Sequence, residues 1–292
     1  MILVVGSTGL VGREVCHILL QRGQPVRAMT RPTSNRDVVD DLRRRGAEIV
    51  AGDLKDRASL DAACRGASAV VSTASITLSR QEGDTIDAVD RDGQMSLVDA
   101  AKNAGVRKFV YVSFKHEGLP LSAPLADAKA AVESHLRESG IDFTILQPSF
   151  FMEVWLSAHL GFDAASGKAR IYGSGQNPIS WISLHDVAAF AADGVTNPAA
   201  RNQIIQVGGP DALTPIQVVN IFEQATGRRF DVQFVPEDVL RAQGEAASNP
   251  LDRSFAALML SYAQGDPVDM SAVLRDFPVQ LRSVREYAQN VR

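Results

Sequence analysis

The sequence predicts an α/β fold built on a doubly wound parallel sheet, with a smaller α/β lobe in the carboxyl-terminal half. Two observations indicate this. Short β-branched runs alternate with segments of helical periodicity through the first half, and a glycine-rich turn joins the first run to the first helical segment. Strand and helix alternating at this spacing form βαβ units, whose right-handed crossovers place helices on both faces of a parallel sheet.

Six short, largely apolar runs are typical of strands that are buried on both faces of a sheet. They are Ile2–Val5, Val26–Met29, Glu48–Ala51, Ala69–Ser72, Phe109–Ser113 and Phe143–Leu146.

The segments between these runs have apolar residues at spacings of three and four. Val11, Val15 and Ile18 mark one apolar stripe, with charged residues on the opposite side of the predicted helix. Two later stripes end at Gly46 and Gly105. Glycine is favoured there because the residue after a helix often adopts left-handed backbone angles.

The regular alternation stops after Pro148. We expect a helix over Phe150–Leu160, and a helix and a strand within residues 183–207 that return to the large sheet. The expected organisation is a first domain over residues 1–150, joined by 183–207, and a smaller lobe over 151–292. The other predicted elements of that lobe are strands at Ala169–Tyr172, Ile179–Ile182 and Phe230–Val235, a helix from Thr214 to Gly227, and a mostly helical final segment.

Composition excludes several classes of function. The 292 residues include 30 basic and 34 acidic side chains, for a net charge of -4, with no long run of either sign. This balance argues against a nucleic-acid surface. No apolar stretch approaches the ~18 residues that span a bilayer. The first strand leaves no room for a signal peptide. We therefore expect a cytoplasmic protein without a membrane partner; the sequence does not indicate its oligomeric state.

Cysteine and histidine usage does not suggest a metal site. Cys16 and Cys64 form no CxxC pair, and the five histidines have no ligand-like spacing. Two reduced thiols and no structural metal are the expectation.

The turn after the first strand opens the first helix and reads Gly6-Ser7-Thr8-Gly9-Leu10-Val11-Gly12. A helix N-terminus offers backbone N–H groups and the positive end of its dipole to an anion, and a side chain at the closest approach would hold a pyrophosphate away. We assign Gly6 to the turn, Gly9 to the approach of the phosphates and Gly12 to the contact between helix and strand. The loop predicts a dinucleotide site; the alternative is a purely structural turn.

The end of the second strand indicates which dinucleotide is bound. An NAD site places an acidic residue there for the ribose 2′-hydroxyl, but here the first carboxylate after the strand is Asp37. The guanidinium of Arg31, with the hydroxyls of Thr30 and Ser34, suits a 2′-phosphate. The predicted cofactor is therefore NADP, and the alternative is that the arginines at this end of the strand are only solvated.

Further motifs follow the later strands. They are Gly52-Asp53-Leu54, Val112-Ser113, Leu146-Gln147-Pro148-Ser149-Phe150-Phe151-Met152-Glu153 and Trp181-Ile182-Ser183-Leu184-His185-Asp186-Val187-Ala188. Together with the glycine loop, they resemble the atypical short-chain dehydrogenases, and most closely the NmrA-like group, over about residues 1–235. That group includes NADP-dependent quinone reductases, isoflavone-reductase-like enzymes and non-catalytic cofactor sensors.

The resemblance implies a Rossmann fold and further cofactor contacts, which family pattern rather than spacing suggests. The implied contacts are Asp53 and Leu54 beside the adenine, Ser72, Thr73 and Ala74 at the nicotinamide-side ribose, and Pro148, Phe150 and Phe151 beside the nicotinamide ring.

One departure from the family pattern restricts the chemistry. Standard members have Tyr-x-x-x-Lys on the helix after the fifth strand, with the tyrosine as general acid. Here the register runs from Leu125 to Lys129, so the lysine is present and a leucine replaces the tyrosine. Lys129 is predicted to bind the nicotinamide ribose hydroxyls; the alternative is a plain surface lysine.

Without that acid, the hydride acceptor has to stabilise its own charge. Hydride addition to a simple ketone builds an alkoxide, which needs a positioned proton donor. Addition to a quinone builds a phenolate-like anion, whose conjugate acid has a pKa nearer ~10. The sequence therefore favours a quinone or a conjugated enone as the acceptor.

Other side chains are weaker candidates for the site. Ser113 ends the fifth strand and is predicted to orient the substrate. His116 in the following loop and Tyr172 in the second lobe are possible substitutes for the missing acid. Phe150 and Trp155 are expected to form either a flat floor for a planar ligand or an ordinary core contact.

Two classes of function remain. The leading prediction is an NADPH-dependent oxidoreductase that transfers hydride directly to a small planar electrophile. The alternative is a non-catalytic sensor that binds NADP(H) and changes its affinity for a partner protein. Epimerase chemistry on a nucleotide sugar is disfavoured because it normally needs the missing tyrosine.

Overall fold

The computed structural model describes residues 1–78 and 80–291. The chain divides into two compact units, and each is assembled from three segments. Unit 1 consists of Met1–Phe114, Asp127–Gln147 and Val187–Ile205, and unit 2 consists of Lys115–Ala126, Pro148–Asp186 and Gln206–Arg292.

A large sheet is the centre of the fold. Its seven strands are β1 (Ile2–Val5), β2 (Val26–Thr30), β3 (Glu48–Ala51), β4 (Ala69–Ser72), β5 (Lys108–Val112), β6 (Asp142–Pro148) and β10 (Gln203–Val207). They lie in the order β10-β6-β5-β4-β1-β2-β3, and β1 to β6 pair in parallel. The predicted doubly wound parallel sheet is confirmed.

The direction of winding reverses between β1 and β4. The chain passes from β1 outward to β2 and β3, and then returns to the other side of β1 to form β4, β5 and β6. In sheets of this kind, ligands bind beyond the carboxyl ends of the strands at the point of reversal. The glycine loop follows β1 at that point, and residues 73–74 follow β4 beside it.

The helices that accompany this sheet are α1 (Leu10–Gln21), α2 (Arg36–Arg44), α3 (Arg57–Cys64), α4 (Asp92–Asn103), α5 (Pro124–Glu138) and α7 (Leu184–Thr196). Val15 and Ile18 of the apolar stripe of α1 are buried and Val11 is half-buried, whereas β1 and β4 are buried at every residue. Gly46 and Gly105 follow α2 and α4 with φ of +100° and +74°, as the sequence predicts. Cys16 and Cys64 lie in α1 and α3 and are both buried and unbridged.

A π-helical turn, Ile86–Arg91, leads directly into α4. The hydroxyl of Thr85 accepts a hydrogen bond from the Ala88 N–H and caps this turn. This turn could not be predicted from the sequence, because six residues are too few to show the periodicity of a π-helix. Such turns occur frequently at functional sites.

Unit 2 contains two small sheets. Strands β7 (Phe162–Asp163), β8 (Lys168–Tyr172) and β12 (Asp231–Val235) form one in the order β12-β8-β7, and β9 (Ile179–Ser180) pairs with β11 (Ala212–Leu213) in the other. The remaining helices are α6 (Met152–Trp155), α8 (Pro215–Thr226), α9 (Glu237–Ala246), α10 (Pro250–Gln264), α11 (Ser271–Asp276) and α12 (Val284–Asn290).

The expected continuous helix over Phe150–Leu160 is wrong: two short helical turns occur there instead, and neither includes Phe150 or Phe151. Phe150 and Phe151 are extended, because the Ile182 N–H donates to the Phe150 carbonyl at 3.0 Å and the Met152 N–H donates to the Ile182 carbonyl at 2.9 Å. Only the single turn α6 and a 3₁₀ turn over Ala158–Leu160 are helical. Tertiary pairing with residue 182 overrides the local periodicity here.

The described residues contain neither a membrane-spanning helix nor a candidate metal-binding cluster. In residues 1–78 and 80–291, no helix is long and apolar enough to cross a membrane. The same residues include no group of three or more His, Cys, Asp or Glu side chains that could hold a metal ion.

Candidate cofactor site and buried lysine cluster

The glycine loop makes a tight turn between β1 and α1. Gly6 has a φ of +82°, in the left-handed region that favours glycine, and its carbonyl accepts a hydrogen bond from the Gly9 N–H at 2.9 Å. Gly9 then occupies the N-cap position of α1 with extended backbone angles. The turn therefore directs the chain from the buried strand into the helix within four residues.

The three glycines have different surroundings. A Cβ atom on Gly6 would lie 2.8 Å from both the Ala74 nitrogen and the Thr73 hydroxyl, and one on Gly12 would lie 2.2 Å from the Gly6 carbonyl oxygen. A Cβ atom on Gly9 would meet only that same oxygen, at 3.2 Å. Gly6 and Gly12 are thus required by packing within the protein, whereas a Cβ atom on Gly9 would make one moderately close contact.

The first turn of α1 has no capping side chain. Gly9 cannot supply one, and no acidic residue lies in the first turn. The first backbone N–H groups of a helix lack partners within it, and together with the helix dipole they favour an anion. Leu10 is 45% exposed at this end of the helix, and Val11 is half-buried.

The hydroxyls of the loop are directed into the protein and toward β2. The Ser7 hydroxyl is buried and donates to the Met29 carbonyl at 2.7 Å. The Thr8 hydroxyl donates to the Ser34 hydroxyl at 3.4 Å, and Ser34 in turn accepts from the Arg31 N–H at 3.0 Å. These bonds connect the glycine loop to the end of β2.

Arg31 lies at the end of β2 in an ion-pair network. Its Nη1 is 2.8 Å from Asp84 Oδ2, and Lys55 Nζ is 2.5 Å from Asp84 Oδ1. Burial opposes ionisation of Asp84, but the hydrogen bonds from Lys55 and Arg31 outweigh it and lower the pKa of that carboxyl. Asp84 thus holds one edge of the guanidinium in place. The sequence analysis did not identify Asp84, because it is 53 residues from Arg31 and no motif marks it.

A cavity of about 240 Å³ lies beside Arg31. Its lining includes Thr30, Ser34 and three arginines, Arg31, Arg36 and Arg43, with Asp40 as the one acidic member. Guanidinium groups and hydroxyls suit a phosphate group. Sequence reasoning identified Arg31, Thr30 and Ser34, but not the two arginines that α2 adds to this cavity.

The residues after β3 stabilise their own turn. The Asp53 carboxylate accepts from the Lys55 N–H at 2.9 Å, and the Asp53 N–H donates to the Ser59 hydroxyl at 3.0 Å. Asp53 is half-buried, and Leu54 is buried. A Cβ atom on Gly52 would meet the Met29 side chain at 2.7 Å, so that side chain would have to shift to accommodate it.

The segment after β4 is held by a buried glutamine. The Ser72 hydroxyl donates to Gln94 Oε1 at 2.8 Å, and Gln94 Nε2 donates to the Ala74 carbonyl at 2.9 Å. Both side chains are fully buried. The Thr73 hydroxyl donates to the Val5 carbonyl at 3.3 Å. The Ser72 hydroxyl therefore supports the segment from within, while the backbone of 73–74 borders the glycine loop.

Lys129 lies in a buried cluster of ionisable groups in unit 1. Its Nζ is 3.7 Å from Asp90 Oδ1 and 4.9 Å from the centre of the Tyr111 ring. Burial lowers the pKa of Lys129, and the charges of Asp90 and Glu133 counteract this effect. Burial also raises the pKa of Tyr111 well above its usual value. Lys129 is not a plain surface lysine, since it is 4% exposed.

Ser113 follows β5 and is buried, with a hydroxyl that has no hydrogen-bond partner among the described residues. Its N–H donates to the Leu146 carbonyl at 2.8 Å. In unit 2, Lys115 pairs with Asp266 at 3.3 Å. The hydroxyl of Tyr172 donates to the Leu160 carbonyl at 3.1 Å, so it is already engaged.

The aromatic residues after β6 form part of the core of unit 2. Phe150 makes edge contacts with Trp155 and Tyr262 at ring-centre distances of 4.8 and 5.8 Å, and it lies 6.4 Å from Trp181. Phe150 is 8% exposed, whereas Phe151 is half-buried and Pro148 is buried. Edge-to-face rings of this kind stabilise a core, so the Phe150 ring is mainly a packing residue.

These features place the chain in a structural class of proteins. The chain is a doubly wound α/β protein with a glycine loop and an uncapped helix N-terminus at the point where the sheet reverses. This is the usual position of a dinucleotide site in such folds.

Comparison with known proteins agrees with this class. The sequence model of the NmrA-like family matches residues 1–288, and the chain belongs to that family. It is 30% identical to the NAD(P)H azoreductase of Xenophilus azovorans over 99% of this chain and 96% of the relative. It is 27% identical to the photosystem II assembly factor Ycf39 of Synechocystis sp. over 99% of this chain and 89% of the relative.

Solved structures share the fold across the whole chain. The NADPH-dependent quinone oxidoreductase QOR2 of Escherichia coli, complexed with NADPH, matches with a TM-score of 0.80 and 22% identity, covering 100% of this chain and 99% of that one. The triphenylmethane reductase of Citrobacter sp., complexed with NADP(H), matches with a TM-score of 0.80 and 20% identity, covering 100% of both chains.

Proposed function

We propose that this protein is an NADPH-dependent reductase that transfers hydride to a small planar electrophile such as a quinone or a conjugated enone. The glycine loop and the first turn of α1 would hold the pyrophosphate, and the arginine-lined cavity at the end of β2 would hold the 2′-phosphate. Asp53 and Leu54 would border the adenine, and the segment Ser72–Ala74 and Lys129 would hold the nicotinamide-side ribose. Pro148, Phe150 and Phe151 would support the nicotinamide ring.

The main support is the open, uncapped N-terminus of α1. The helix has neither a capping side chain nor an acidic residue in its first turn, and Gly9 leaves the approach to its N–H groups clear. A pyrophosphate would satisfy those donors and the helix dipole at once. The azoreductase and the quinone and triphenylmethane reductases among its relatives and structural neighbours support a reductase.

The nature of the acceptor follows from the groups available near Lys129. In α5, a buried leucine, Leu125, stands four residues before Lys129, where the family pattern has a tyrosine acid. A buried ammonium stabilises negative charge on a reduced acceptor without giving up its proton. Quinones and enones delocalise that charge themselves, so the proton can arrive later from water. Ser113 would orient the acceptor through its unpartnered hydroxyl.

A second function has a specific observation in its favour. The resemblance to the assembly factor Ycf39 spans 99% of this chain, so a family member of this kind is able to serve protein assembly. In that case the protein would bind NADP(H) and alter its affinity for a partner protein, without turnover.

One assay separates the two functions. Purified protein is mixed with NADPH and a panel of quinones, enones and azo dyes, and the absorbance of the reduced nicotinamide is followed. Turnover that is lost in a Gly9→Val variant and kept in a Gln21→Ala variant, at the exposed far end of the same helix, would support the reductase. Tight NADPH binding without turnover on any acceptor would favour the sensor, and absence of binding would contradict both.

A further inference from the structure

Asp90 is a fully buried carboxylate on the π-helical turn before α4. Its Oδ2 accepts a hydrogen bond from the Ile76 N–H at 3.2 Å, in the segment after β4. Its Oδ1 is buried without a hydrogen-bond partner among the described residues, and the nearest cation is Lys129 Nζ at 3.7 Å. The two oxygens therefore face two different parts of the candidate site.

Burying an ion pair such as Asp90 and Lys129 costs solvation free energy. A buried charge loses its hydration, and a buried pair is often no more stable than apolar residues of the same size. Removing one partner leaves the other charge uncompensated. The pair of Asp90 and Lys129 is thus expected to add little to the stability of the fold, but it fixes the position and the charge of the lysine.

Three elements of unit 1 direct ionisable groups toward the Lys129 ammonium. Asp90 comes from the π-helical turn, Tyr111 from β5 and Glu133 from α5, one helical turn after Lys129. Both carboxylate oxygens of Glu133 also accept hydrogen bonds from Gln147 Nε2, at 3.2 and 3.1 Å, and Glu133 is not limited to these partners. The negative charge of Glu133 is therefore shared, whereas Oδ1 of Asp90 accepts no hydrogen bond among the described residues and lies 3.7 Å from the ammonium; the charge of Asp90 also acts on Tyr111.

The local backbone explains why Asp90 points inward. Gly93 lies three residues later, in the first turn of α4, and a Cβ atom there would be 2.8 Å from both the Ala88 carbonyl oxygen and the Leu54 Cβ. Only glycine allows the turn to pack this closely against the residues after β3. The π-helical turn therefore packs closely within unit 1, and its Val89 and Asp90 are buried.

We propose that Asp90 is a positioning residue: its carboxylate holds the Lys129 ammonium in place and in its charged form, and through Ile76 it ties that ammonium to the segment after β4. The proposal rests on the proposed function, in which Lys129 holds the ribose of the cofactor and stabilises the reduced acceptor. Asp90 itself would touch neither cofactor nor acceptor.

An Asp90→Asn variant tests this with little change of shape. The asparagine oxygen can still accept from the Ile76 N–H, but the negative charge facing Lys129 is removed. With lysine labelled by ¹³C at Cε, NMR follows the titration of Lys129 directly. We expect its pKa to fall by about one to three units, the usual effect of one charge at this distance. The alkaline limb of the NADPH turnover profile should move in the same direction.

Two further variants serve as controls. Asp92 is an exposed carboxylate two residues later that pairs with Arg91, so Asp92→Asn should leave the Lys129 titration unchanged. In a Lys129→Met background, adding Asp90→Asn should cause no further loss of turnover, because a positioning residue acts only through the group that it positions. An additional loss there would contradict the proposal.

The outcome can be separated from that of the proposed function. If no acceptor is reduced, the NMR titration still decides whether Asp90 holds the charge of Lys129. An unchanged Lys129 titration in Asp90→Asn would overturn the proposal even in an active enzyme. Should that variant not fold, Lys129→Met provides the reciprocal test: removing the ammonium leaves the buried Asp90 carboxylate uncompensated and should lower the Tm, and an unchanged Tm would refute the coupling.

Discussion

Replacing Gly12 and Gly9 by alanine separates the packing role of the glycine loop from its binding role. Both substitutions add one methyl group to the same loop. At Gly12 the added Cβ would lie 2.2 Å from the Gly6 carbonyl oxygen and 2.7 Å from the Thr73 hydroxyl, so the backbone of the loop must move. At Gly9 the Cβ would meet only the Gly6 oxygen, at 3.2 Å.

The magnitudes follow from these distances. Overpacking against backbone costs roughly 1–3 kcal/mol, and the two contacts at Gly12, together with a third at 2.7 Å from the Gly6 carbonyl carbon, place Gly12→Ala at the upper end of that range. Alanine gains back about 1 kcal/mol in helix propensity. The expected net loss is about 2 kcal/mol, or a fall in Tm of roughly 4–8 °C. Gly9→Ala should lose no more than about 1 kcal/mol, the usual effect at an N-cap.

NADPH binding should show the opposite order. If the pyrophosphate approaches the N–H groups beside Gly9, a methyl group there disrupts at least one hydrogen bond to a charged group. Such a bond contributes roughly 1.5–3 kcal/mol, so the Kd should rise about tenfold to a hundredfold. Thermal unfolding without cofactor and calorimetric titration with NADPH measure the two effects. A Gly9→Ala protein that binds NADPH like the wild type would refute the assignment of the loop.

Three other outcomes are expected. Burial raises the pKa of Cys16 to about 12 and of Cys64 to about 11, so a thiol reagent at about pH 8 should label neither until the protein is unfolded; labelling of the native protein would contradict this. Burial raises the pKa of Asp186 to about 6, above its value in the unfolded chain. Its contribution to stability is therefore present below about pH 4 and is lost as the pH rises to about 6. Relative to Asp186→Asn, the wild type should lose roughly 2 kcal/mol of unfolding free energy between about pH 4.5 and 7. Urea unfolding that shows no such difference would contradict the raised pKa of Asp186. Arg31→Ala should weaken NADPH binding far more than NADH binding, and equal losses would place the 2′-phosphate elsewhere.

The sequence predicted those features that depend on short stretches of chain. β1 and β4 have the predicted bounds, because strands buried on both faces are continuous apolar runs. β3 also has the predicted bounds, but the expectation that it is buried on both faces is wrong: it is the edge strand, and Glu48 and Ala51 are exposed. The glycine loop was found because its spacing, its strand and its helix are contiguous. The prediction of reduced thiols at Cys16 and Cys64 agrees with two buried, unbridged side chains.

Features that depend on distant residues could not be predicted in this way. Asp84 and Asp90 occur in a stretch without periodicity, and each finds its partner only after folding. Arg31 is 53 residues away from Asp84, and α4 and β5 lie between Asp90 and the helix that holds Lys129. The extended backbone at Phe150 is another example, because its hydrogen bond comes from Ile182. Periodicity reports which face of an element is apolar, but it does not report which polar groups will meet.

The buried polar side chains lead to a view of how the candidate site is organised. Ser7 donates to the backbone of β2, Ser72 bonds to Gln94, and Asp90 accepts from Ile76. Each of these groups ties the loop after one strand to a neighbouring element, so their polar atoms are used inside the protein. The strand-end loops are therefore anchored by buried hydrogen bonds, and in the proposed function their backbone groups and glycines would face the cofactor. Preorganisation of this kind lowers the entropic cost of binding. In the proposed function, backbone groups would hold the pyrophosphate, and the arginines of the cavity beside Arg31 would bind the 2′-phosphate.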